Sequence, residues 1–183
     1  IRDSLPMEAD TIFRIYSMTK PIVSIAMMML YEAGHFHLSD PVSDYIPQFK
    51  DLKVLVKPGY DGLILTNPER PMTIRDLFIH TAGLSYGFHA DSPVDEMYRQ
   101  SKVLSRDITL EEMIKRIAEI PLVHHPGTYW RYSVATDVLG YLVQVLSGQS
   151  LESYLTEKIF TPLGMHETAF CVPDGPVSYT HLT

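Results

Sequence analysis

One short stretch near the start of the chain carries most of its information: Ser17-Met18-Thr19-Lys20. It places a hydroxyl and an amine three residues apart, and residues at this spacing share one face of a helix. A serine hydroxyl is a poor nucleophile at neutral pH unless a base lies beside it. Lys20 can be that base, or its ammonium group can stabilise the charge of another group that acts as the base. The simpler alternative is that Ser17 only caps a helix and Lys20 is a solvated side chain, because serine is a preferred cap residue.

The residues that follow predict the helix on which this pair lies. Pro21 is tolerated only in the first turn of a helix, where its missing N–H would have no partner. The helix is therefore expected to begin near Tyr16 or Ser17 and to run to Gly34, a residue suited to the position after a helix. Ser17 then lies at the helix N-terminus, where free N–H groups and the dipole favour developing negative charge. The stretch 21–30 is apolar on nearly every side, which predicts a helix buried in a core.

The composition is that of a globular protein and argues against several classes of function. The 183 residues fit one domain, with 45% hydrophobic and 20% charged residues and a net charge of −7. The sequence has no run of lysine or arginine, so nucleic acid is not expected as a partner. Its longest apolar stretch is far too short for a membrane span. Cys171 is the only cysteine, which rules out an internal disulfide and a cysteine-based metal site.

Histidines occur in two close pairs, His35 with His37 and His124 with His125. Neither pair belongs to a recognised metal-ligand pattern such as His-Glu-x-x-His. We therefore expect neither a metal nor a cofactor. The sequence does not begin with methionine, so the compartment stays open between cytoplasm and periplasm, and the oligomeric state is open too.

Capping residues and turns predict four further helices and two short strands. The helices are expected at 73–80, 109–119, 134–147 and 151–159, and the strands at 53–56 and 63–66. The polar segment 85–107 contains scattered aromatic residues, among them Tyr86, and is expected to form a pocket rim or a lid.

Four blocks of sequence occur in an order that resembles the serine beta-lactamase-related superfamily. They are Phe13–Lys20, Thr73–Leu84, Pro126–Val134 and Ile159–Met165. The first block contains the Ser-x-x-Lys motif of those enzymes. Within the superfamily the chain is most similar to the class C beta-lactamase-like esterases, often called family VIII carboxylesterases. The likeness covers residues 8–173.

The resemblance implies an α/β fold of the α+β type, beta-lactamase/transpeptidase-like, of which this chain supplies mainly the helical part. The family's opening strands and its third motif, which supplies a backbone N–H to the oxyanion hole, have no match here. We therefore expect a partial domain over residues 1–176, truncated at both ends and lacking most of the antiparallel sheet. Residues 177–183 fit no family pattern and are expected to be a non-native tail. Such a fragment is expected to be inactive and poorly stable by itself.

The resemblance also implies roles at matching positions. Ser17 is implied to be the acylated nucleophile, Lys20 its activating partner, and Tyr132 the tyrosine of the family's second motif. Tyrosine ordinarily titrates at about pH 10, but a neighbouring lysine ammonium favours the phenolate. That phenolate can take the Ser17 proton and return it to the leaving group. Without the other motifs, Tyr132 would be interpreted as a half-buried aromatic residue beside Trp130.

Position 134 separates this chain from the lactamases. Val134 stands where they have an asparagine whose amide binds the amide side chain of the substrate, and valine cannot make that bond. Val134 and Tyr86 are the candidate substrate-binding residues. His80 matches a His-Thr-Ser-Gly block that is usually structural. Arg131 and Asp137 can be surface charges and are assigned no role.

These features favour a serine hydrolase that cleaves small carboxylic esters through an acyl-enzyme. The first alternative is a beta-lactamase, or a D-alanyl-D-alanine carboxypeptidase or aminopeptidase, of the same fold. The second is a non-catalytic scaffold or an inactive fragment. The set Ser17, Lys20 and Tyr132 argues against a scaffold, which needs none of the three. The expected partner is a small-molecule ester or amide, with the acyl chain length left open.

Overall fold

The computed structural model describes residues 11–59, 62–90, 92–105 and 107–171. Within these ranges the chain forms six α-helices and one two-stranded antiparallel sheet. The helices are α1 (Thr19–Glu32), α2 (Ile74–Phe78), α3 (Pro93–Gln100), α4 (Leu110–Ala118), α5 (Ala135–Ser147) and α6 (Leu151–Leu155), and the strands are β1 (Val54–Gly59) and β2 (Gly62–Thr66). None of these helices is long and apolar enough to cross a membrane. The predicted tail, residues 177–183, lies outside the described residues.

The core is built where α1 packs against α5. The buried side chains of α1 recur at the spacing of one helix face and are Val23, Ala26, Met27 and Leu30. The facing residues of α5 are equally buried and include Val138, Leu139, Leu142 and Val143. Each large apolar side chain buried in this way contributes about 1.5–3 kcal/mol. This packing fixes where the N-terminus of α1 lies.

The opposite face of α1 corrects the expectation of a helix buried on every side. Ile25 is 54% exposed and Met28 is 37% exposed, whereas the neighbouring Met27 is fully buried. In the part of the chain that the structure describes, no element packs fully over Ile25 or Met28. The apolar pattern did not predict this exposure, because it records the preference of a residue for burial and not the presence of a neighbour.

Both ends of α1 lie near their predicted positions. Residues 16–18 form a 3₁₀ turn, and α1 follows with Met18 at the N-cap and no side-chain cap, so Ser17 does not cap the helix. Gly34 has a φ of +78° directly after the helix, as expected of a C-terminal glycine. Tyr16 has a φ of +41°, a conformation that is unfavourable for a residue with a Cβ.

The other predicted elements appear close to their expected bounds. The helices predicted at 73–80, 109–119, 134–147 and 151–159 are α2, α4, α5 and α6, and the two strands pair as an antiparallel hairpin. Thr73, Thr109 and Ser150 each accept a hydrogen bond from the backbone N–H three residues on. Side-chain capping therefore explains where three of the helices begin.

The segment 85–107 contains a helix that the sequence did not predict. Pro93 occupies the first turn of α3, and the Ser92 side chain accepts a hydrogen bond from the Asp95 N–H. Tyr98, on the inner face of this helix, is buried. The expected rim or lid is therefore partly a packed helix, missed because polar residues outnumber apolar ones in this segment.

Candidate active site

The three residues predicted to be catalytic meet at the N-terminus of α1. Ser17 Oγ lies 2.7 Å from the hydroxyl of Tyr132, a residue 115 positions further along the chain. Lys20 lies in the first turn of α1, and its Nζ donates to Ser17 Oγ at 3.3 Å. The serine oxygen therefore contacts both an amine and a phenol.

Tyr132 reaches Ser17 because the segment before α5 lies along the turn that follows α2. The Arg131 N–H donates to the His80 carbonyl oxygen at 2.8 Å, and the Val134 N–H donates to the Ser85 carbonyl oxygen at 3.1 Å. In the same turn, Gly83 lets the backbone of His124 approach closely, since it has a φ of +81° and a Cβ there would collide with the His124 carbonyl oxygen.

Tyr86 and Tyr132 form a stacked pair beside Lys20. Their ring centroids lie 5.4 Å apart with 8° between the planes. Lys20 Nζ lies 4.8 Å from the centroid of the Tyr132 ring and 5.3 Å from that of Tyr86. A cation over aromatic faces is attracted by about 0.5–2 kcal/mol. The structure thus places Tyr86 in the wall of the site, next to the predicted catalytic set.

The amine and the phenol shift each other's proton affinity in opposite directions. Burial lowers the pKa of Lys20, but the Tyr132 hydroxyl and nearby negative charge outweigh burial and leave that pKa above its usual value. Lys20 and then the Ser17 hydroxyl lower the pKa of Tyr132 by more than burial raises it. The pair therefore favours an ammonium beside a phenol that ionises more readily than usual.

Asp137 is a charged residue of the site that sequence reasoning missed. It lies in the first turn of α5 and lines the same cavity as Ser17 and Lys20. Burial raises the pKa of its carboxyl group, and the charge of Lys20 opposes that rise. Its negative charge in turn raises the pKa of both Lys20 and Tyr132. The available signal was a lone carboxylate in the first turn of an otherwise apolar helix.

Val134, the other predicted substrate-binding residue, does not join this group. Its side chain is fully buried at the N-cap of α5, and it does not line the cavity beside Ser17. An asparagine amide would find an apolar environment in that place, so valine suits the core as it is built here. A contact between Val134 and substrate stays a prediction.

A cavity of about 510 Å³ opens beside Ser17, which is within the usual range for small-molecule sites. Its apolar walls include Val23, Leu110 and Leu151 from three helices, and Phe170 from the segment after the last helix. The charged residues of this lining are Lys20, Asp137 and Glu152. The arrangement can hold an apolar acyl group close to the serine oxygen.

His80 adjoins this arrangement through its ring. The His80 ring lies 5.1 Å from that of Tyr132, and its Nδ1 is 3.3 Å from Ser133 Oγ. Burial and the charge of Lys20 lower the pKa of His80, which favours the neutral ring. Among the residues described, no group of three or more histidine, cysteine, aspartate or glutamate side chains is placed to hold a metal ion.

Comparison with known proteins shows the family to which the chain belongs. Residues 1–181 match the family described as Beta-lactamase. Protein Rv1367c of Mycobacterium tuberculosis (strain ATCC 25618 / H37Rv) is 37% identical over 169 residues, which cover 92% of this chain and 41% of the relative. Esterase EstB of Burkholderia gladioli is 36% identical over 167 residues, which cover 90% of this chain and 40% of the relative.

Solved structures of similar fold agree with the sequence relatives. EstCE1, described as a hydrolase with promiscuous acyltransferase activity, superposes with a TM-score of 0.71 at 33% identity, covering 87% of this chain and 39% of that one. The chain thus spans about two fifths of the length of the curated relatives it matches.

Proposed function

Because the chain belongs to the beta-lactamase family, we propose that it carries the active site of a serine hydrolase that cleaves small carboxylic esters through an acyl-enzyme. Its homologues include an esterase, and a structural neighbour is a hydrolase with acyltransferase activity. The observation that carries the proposal is the contact of Ser17 Oγ with both the Tyr132 hydroxyl and Lys20 Nζ. A serine that only served packing would need neither contact.

In the proposed reaction Tyr132 takes the proton of Ser17 while the Ser17 oxygen attacks the carbonyl carbon of the ester. The tetrahedral intermediate then loses the alcohol, whose oxygen receives that proton from Tyr132. A water molecule attacks the acyl-enzyme by the same route. Its proton passes through Tyr132 to the Ser17 oxygen as the carboxylic acid leaves. Lys20 stays an ammonium and stabilises the phenolate in both halves, in line with its raised pKa.

The cavity favours an ester over a beta-lactam or a peptide. Val134 is buried and does not line the cavity, so position 134 supplies no amide to a substrate side chain. The loss of one hydrogen bond to a buried polar group costs about 1–3 kcal/mol. The apolar walls formed by Val23 and Leu151 suit an acyl chain. Beta-lactamase or D-alanyl-D-alanine peptidase activity on the same fold is the alternative.

The assignment of the nucleophile is tested by treating the full-length gene product with a fluorophosphonate, followed by peptide mass spectrometry. We expect one adduct, on the peptide that contains Ser17, and its loss in Ser17→Ala. Ser24→Ala is the matched control, because Ser24 lies on the same helix but does not line the cavity. An adduct on another residue, or undiminished ester hydrolysis in Ser17→Ala, would refute the proposal.

The substrate class is tested by comparing kcat/KM for p-nitrophenyl butyrate with that for nitrocefin. We expect the higher value for the ester. A higher value for nitrocefin would favour the lactamase alternative and overturn the ester assignment while leaving Ser17 as the nucleophile.

A further inference from the structure

A buried ion-pair cluster adjoins the two stacked tyrosines. Arg131 Nη2 lies 2.6 Å from Asp95 Oδ2, with the Arg131 side chain 20% exposed and that of Asp95 fully buried. Ser85 Oγ accepts a hydrogen bond from Arg131 Nε at 3.0 Å and donates one to Asp95 Oδ1 at 3.0 Å. These three residues are called the Ser85–Asp95–Arg131 cluster below. The sequence allowed Arg131 to be a surface charge, but Asp95 and Ser85 draw its guanidinium inward.

The cluster adjoins the tyrosines in sequence as well as in space. Ser85 directly precedes Tyr86, and Arg131 directly precedes Tyr132. Neither segment is helical, so successive side chains leave the backbone in different directions. The cluster is buried while the tyrosines line the open site. Each tyrosine is therefore one residue away from a side chain held in the cluster.

Helix α3 anchors the cluster and the loop that carries Tyr86. Asp95, in the first turn of α3, also accepts a hydrogen bond from the His89 N–H at 3.1 Å. Arg99, one turn further on, donates to the Gly87 carbonyl oxygen at 2.7 Å. Burial raises the pKa of Asp95, but its hydrogen bonds and Arg131 lower it by more, so the group stays a carboxylate at neutral pH.

We propose that the Ser85–Asp95–Arg131 cluster is a positioning device, which holds Tyr86 against Tyr132 and so sets the short distance between the Tyr132 hydroxyl and Ser17. The inference rests on the proposed function, because this distance matters for catalysis only if Tyr132 exchanges a proton with Ser17. Misplacing a reacting group by about 1 Å can lower a rate by about 100-fold. A buried ion pair is a weak source of net stability, but losing one partner leaves a charge without compensation. Such a pair therefore holds its segments in one arrangement.

The chain offers a control in a second ion pair whose carboxylate is buried, although its arginine, Arg70, is 43% exposed. Asp76, with its side chain 1% exposed, accepts hydrogen bonds from Arg70 at 2.7 and 2.8 Å. It lies in the first turn of α2, as Asp95 lies in the first turn of α3. Its other partners include the Thr73 and Thr81 hydroxyls, and neither of these residues adjoins Tyr86 or Tyr132 in sequence. Asp76→Asn therefore measures the cost of losing a buried carboxylate that lies outside the Ser85–Asp95–Arg131 cluster.

The first measurement is the second-order rate constant for modification of Ser17 by a fluorophosphonate in the full-length gene product, together with urea unfolding of each variant. We expect Ser85→Ala and Asp95→Asn to lower the rate constant by about 10- to 100-fold. Asp76→Asn is expected to lose a similar amount of stability and to keep the rate constant within about threefold.

The second measurement does not depend on ester chemistry. NMR of ¹³C-labelled tyrosine, assigned with Tyr132→Phe, gives the midpoint of the Tyr132 titration. The titratable and polar groups around Tyr132 are Ser17 and Lys20 at the start of α1, Asp137 from α5, and the rings of His80 and Tyr86. None of them is altered in the cluster variants.

The direction of the shift separates positioning from a simple charge effect. Losing contact with Lys20 raises the midpoint of Tyr132 towards the ordinary tyrosine value. Removing the negative charge of Asp95 would lower it if that charge acted only through space. We expect an upward shift in Ser85→Ala and Asp95→Asn, and no shift in Asp76→Asn.

Each remaining outcome also decides the question. An unchanged rate and midpoint in Ser85→Ala would overturn the inference, and so would an equal loss of rate in Asp76→Asn. If Asp95→Asn does not fold, Ser85→Ala decides, because it removes no charge. If Ser17 is not labelled in the unmodified protein but the midpoint still rises in the cluster variants, the proposed function fails and the positioning role stands.

Discussion

At the scale of single residues, the proposed site depends on one proton exchanged between Ser17 and Tyr132 beside the ammonium of Lys20. The opposite pKa shifts of Lys20 and Tyr132 have one cause, since each stabilises the charged form of the other. A tyrosine that ionises more readily than usual is a better acceptor for the serine proton near neutral pH. The two groups should therefore behave as one catalytic unit.

This coupling predicts the behaviour of single and double variants. Tyr132→Phe and Lys20→Ala are each expected to lower acylation of Ser17 by at least about 100-fold, the lower range for a positioned acid–base group. The double variant should lose little more than either single variant, because groups that act as a unit are not additive. Stopped-flow acylation rates measure this, with Tyr129→Phe at an exposed position as the control. Losses that add in free energy would contradict the coupled pair.

Asp137 predicts a shift of the pH profile with a defined sign. Its charge raises the pKa of both Tyr132 and Lys20, so Asp137→Asn lowers both. The rate of Ser17 acylation rises with pH as Tyr132 loses its proton and falls as Lys20 loses its own. Both limbs should therefore move to lower pH in Asp137→Asn. Acylation rates measured across pH test this, with the exposed Asp107→Asn as control. A profile that stays in place or moves upward would exclude this role for Asp137.

The sequence predicted residues whose spacing is local and missed those whose environment is built by distant contacts. Ser17 and Lys20 share one helix turn, so their proximity follows from the pattern alone. Asp137 and Arg131 could be interpreted as surface charges, because the neighbouring sequence does not indicate that either residue has a buried partner. The partner of Arg131 is Asp95, 36 residues away.

At the scale of elements, helix α1 has one buried face and one exposed face although both are apolar. Met27 and Met28 are adjacent and identical in chemistry, yet they lie on opposite sides of this division. The prediction from sequence identified the helix and its end at Gly34 correctly. It was wrong about the burial of the outer face, because burial depends on what packs against each face.

These two methionines give a matched pair of variants. In the 183-residue chain, Met27→Ala is expected to lower the free energy of unfolding by about 2–5 kcal/mol, because it leaves a cavity in the core. Met28→Ala is expected to cost less than about 1 kcal/mol, because its side chain is already partly in water. Urea unfolding curves with equal slopes measure both. An equal cost would mean that another part of the molecule covers the outer face of α1.

Helix α3 indicates how an element can be missed although its start signal is present. Ser92, Pro93 and Asp95 form a good N-terminal cap sequence. Its apolar residues are too few for a clear helical period, so the segment was taken for a loop. The α2, α4 and α5 helices were easier to predict because longer apolar patterns accompany their caps or turns.

At the scale of the whole molecule, the order of four sequence blocks was enough to predict the fold class. The same blocks do not indicate whether all residues of the site lie within this chain. In the residues described, the sheet is limited to the β1–β2 hairpin. The relatives it matches are longer, since the aligned part covers 41% and 40% of two of them. A resemblance built on blocks identifies the helical part of the fold, and it leaves open what else contacts α1.

The last prediction concerns the 183-residue chain expressed alone. Exposed apolar side chains on and next to α1, such as Ile25 and Met18, leave burial energy unused, at about 1.5–3 kcal/mol for each large side chain. Total stability is only about 5–15 kcal/mol, so we expect a broad, weakly cooperative thermal transition. We also expect ester hydrolysis at least about 100-fold below that of the full-length gene product, the cost of one missing oxyanion donor.

Differential scanning calorimetry and p-nitrophenyl butyrate hydrolysis measure the two quantities, with Ser17→Ala in the same chain as the blank for background hydrolysis. The two expectations depend on different features: the stability on exposed apolar surface, and the rate on the number of oxyanion-hole donors. A sharp cooperative transition with a low rate would contradict the expectation of low stability and agree with the expectation of slow ester hydrolysis. A sharp transition together with full esterase activity would mean that these 183 residues build the whole site, with both oxyanion donors supplied from within the chain.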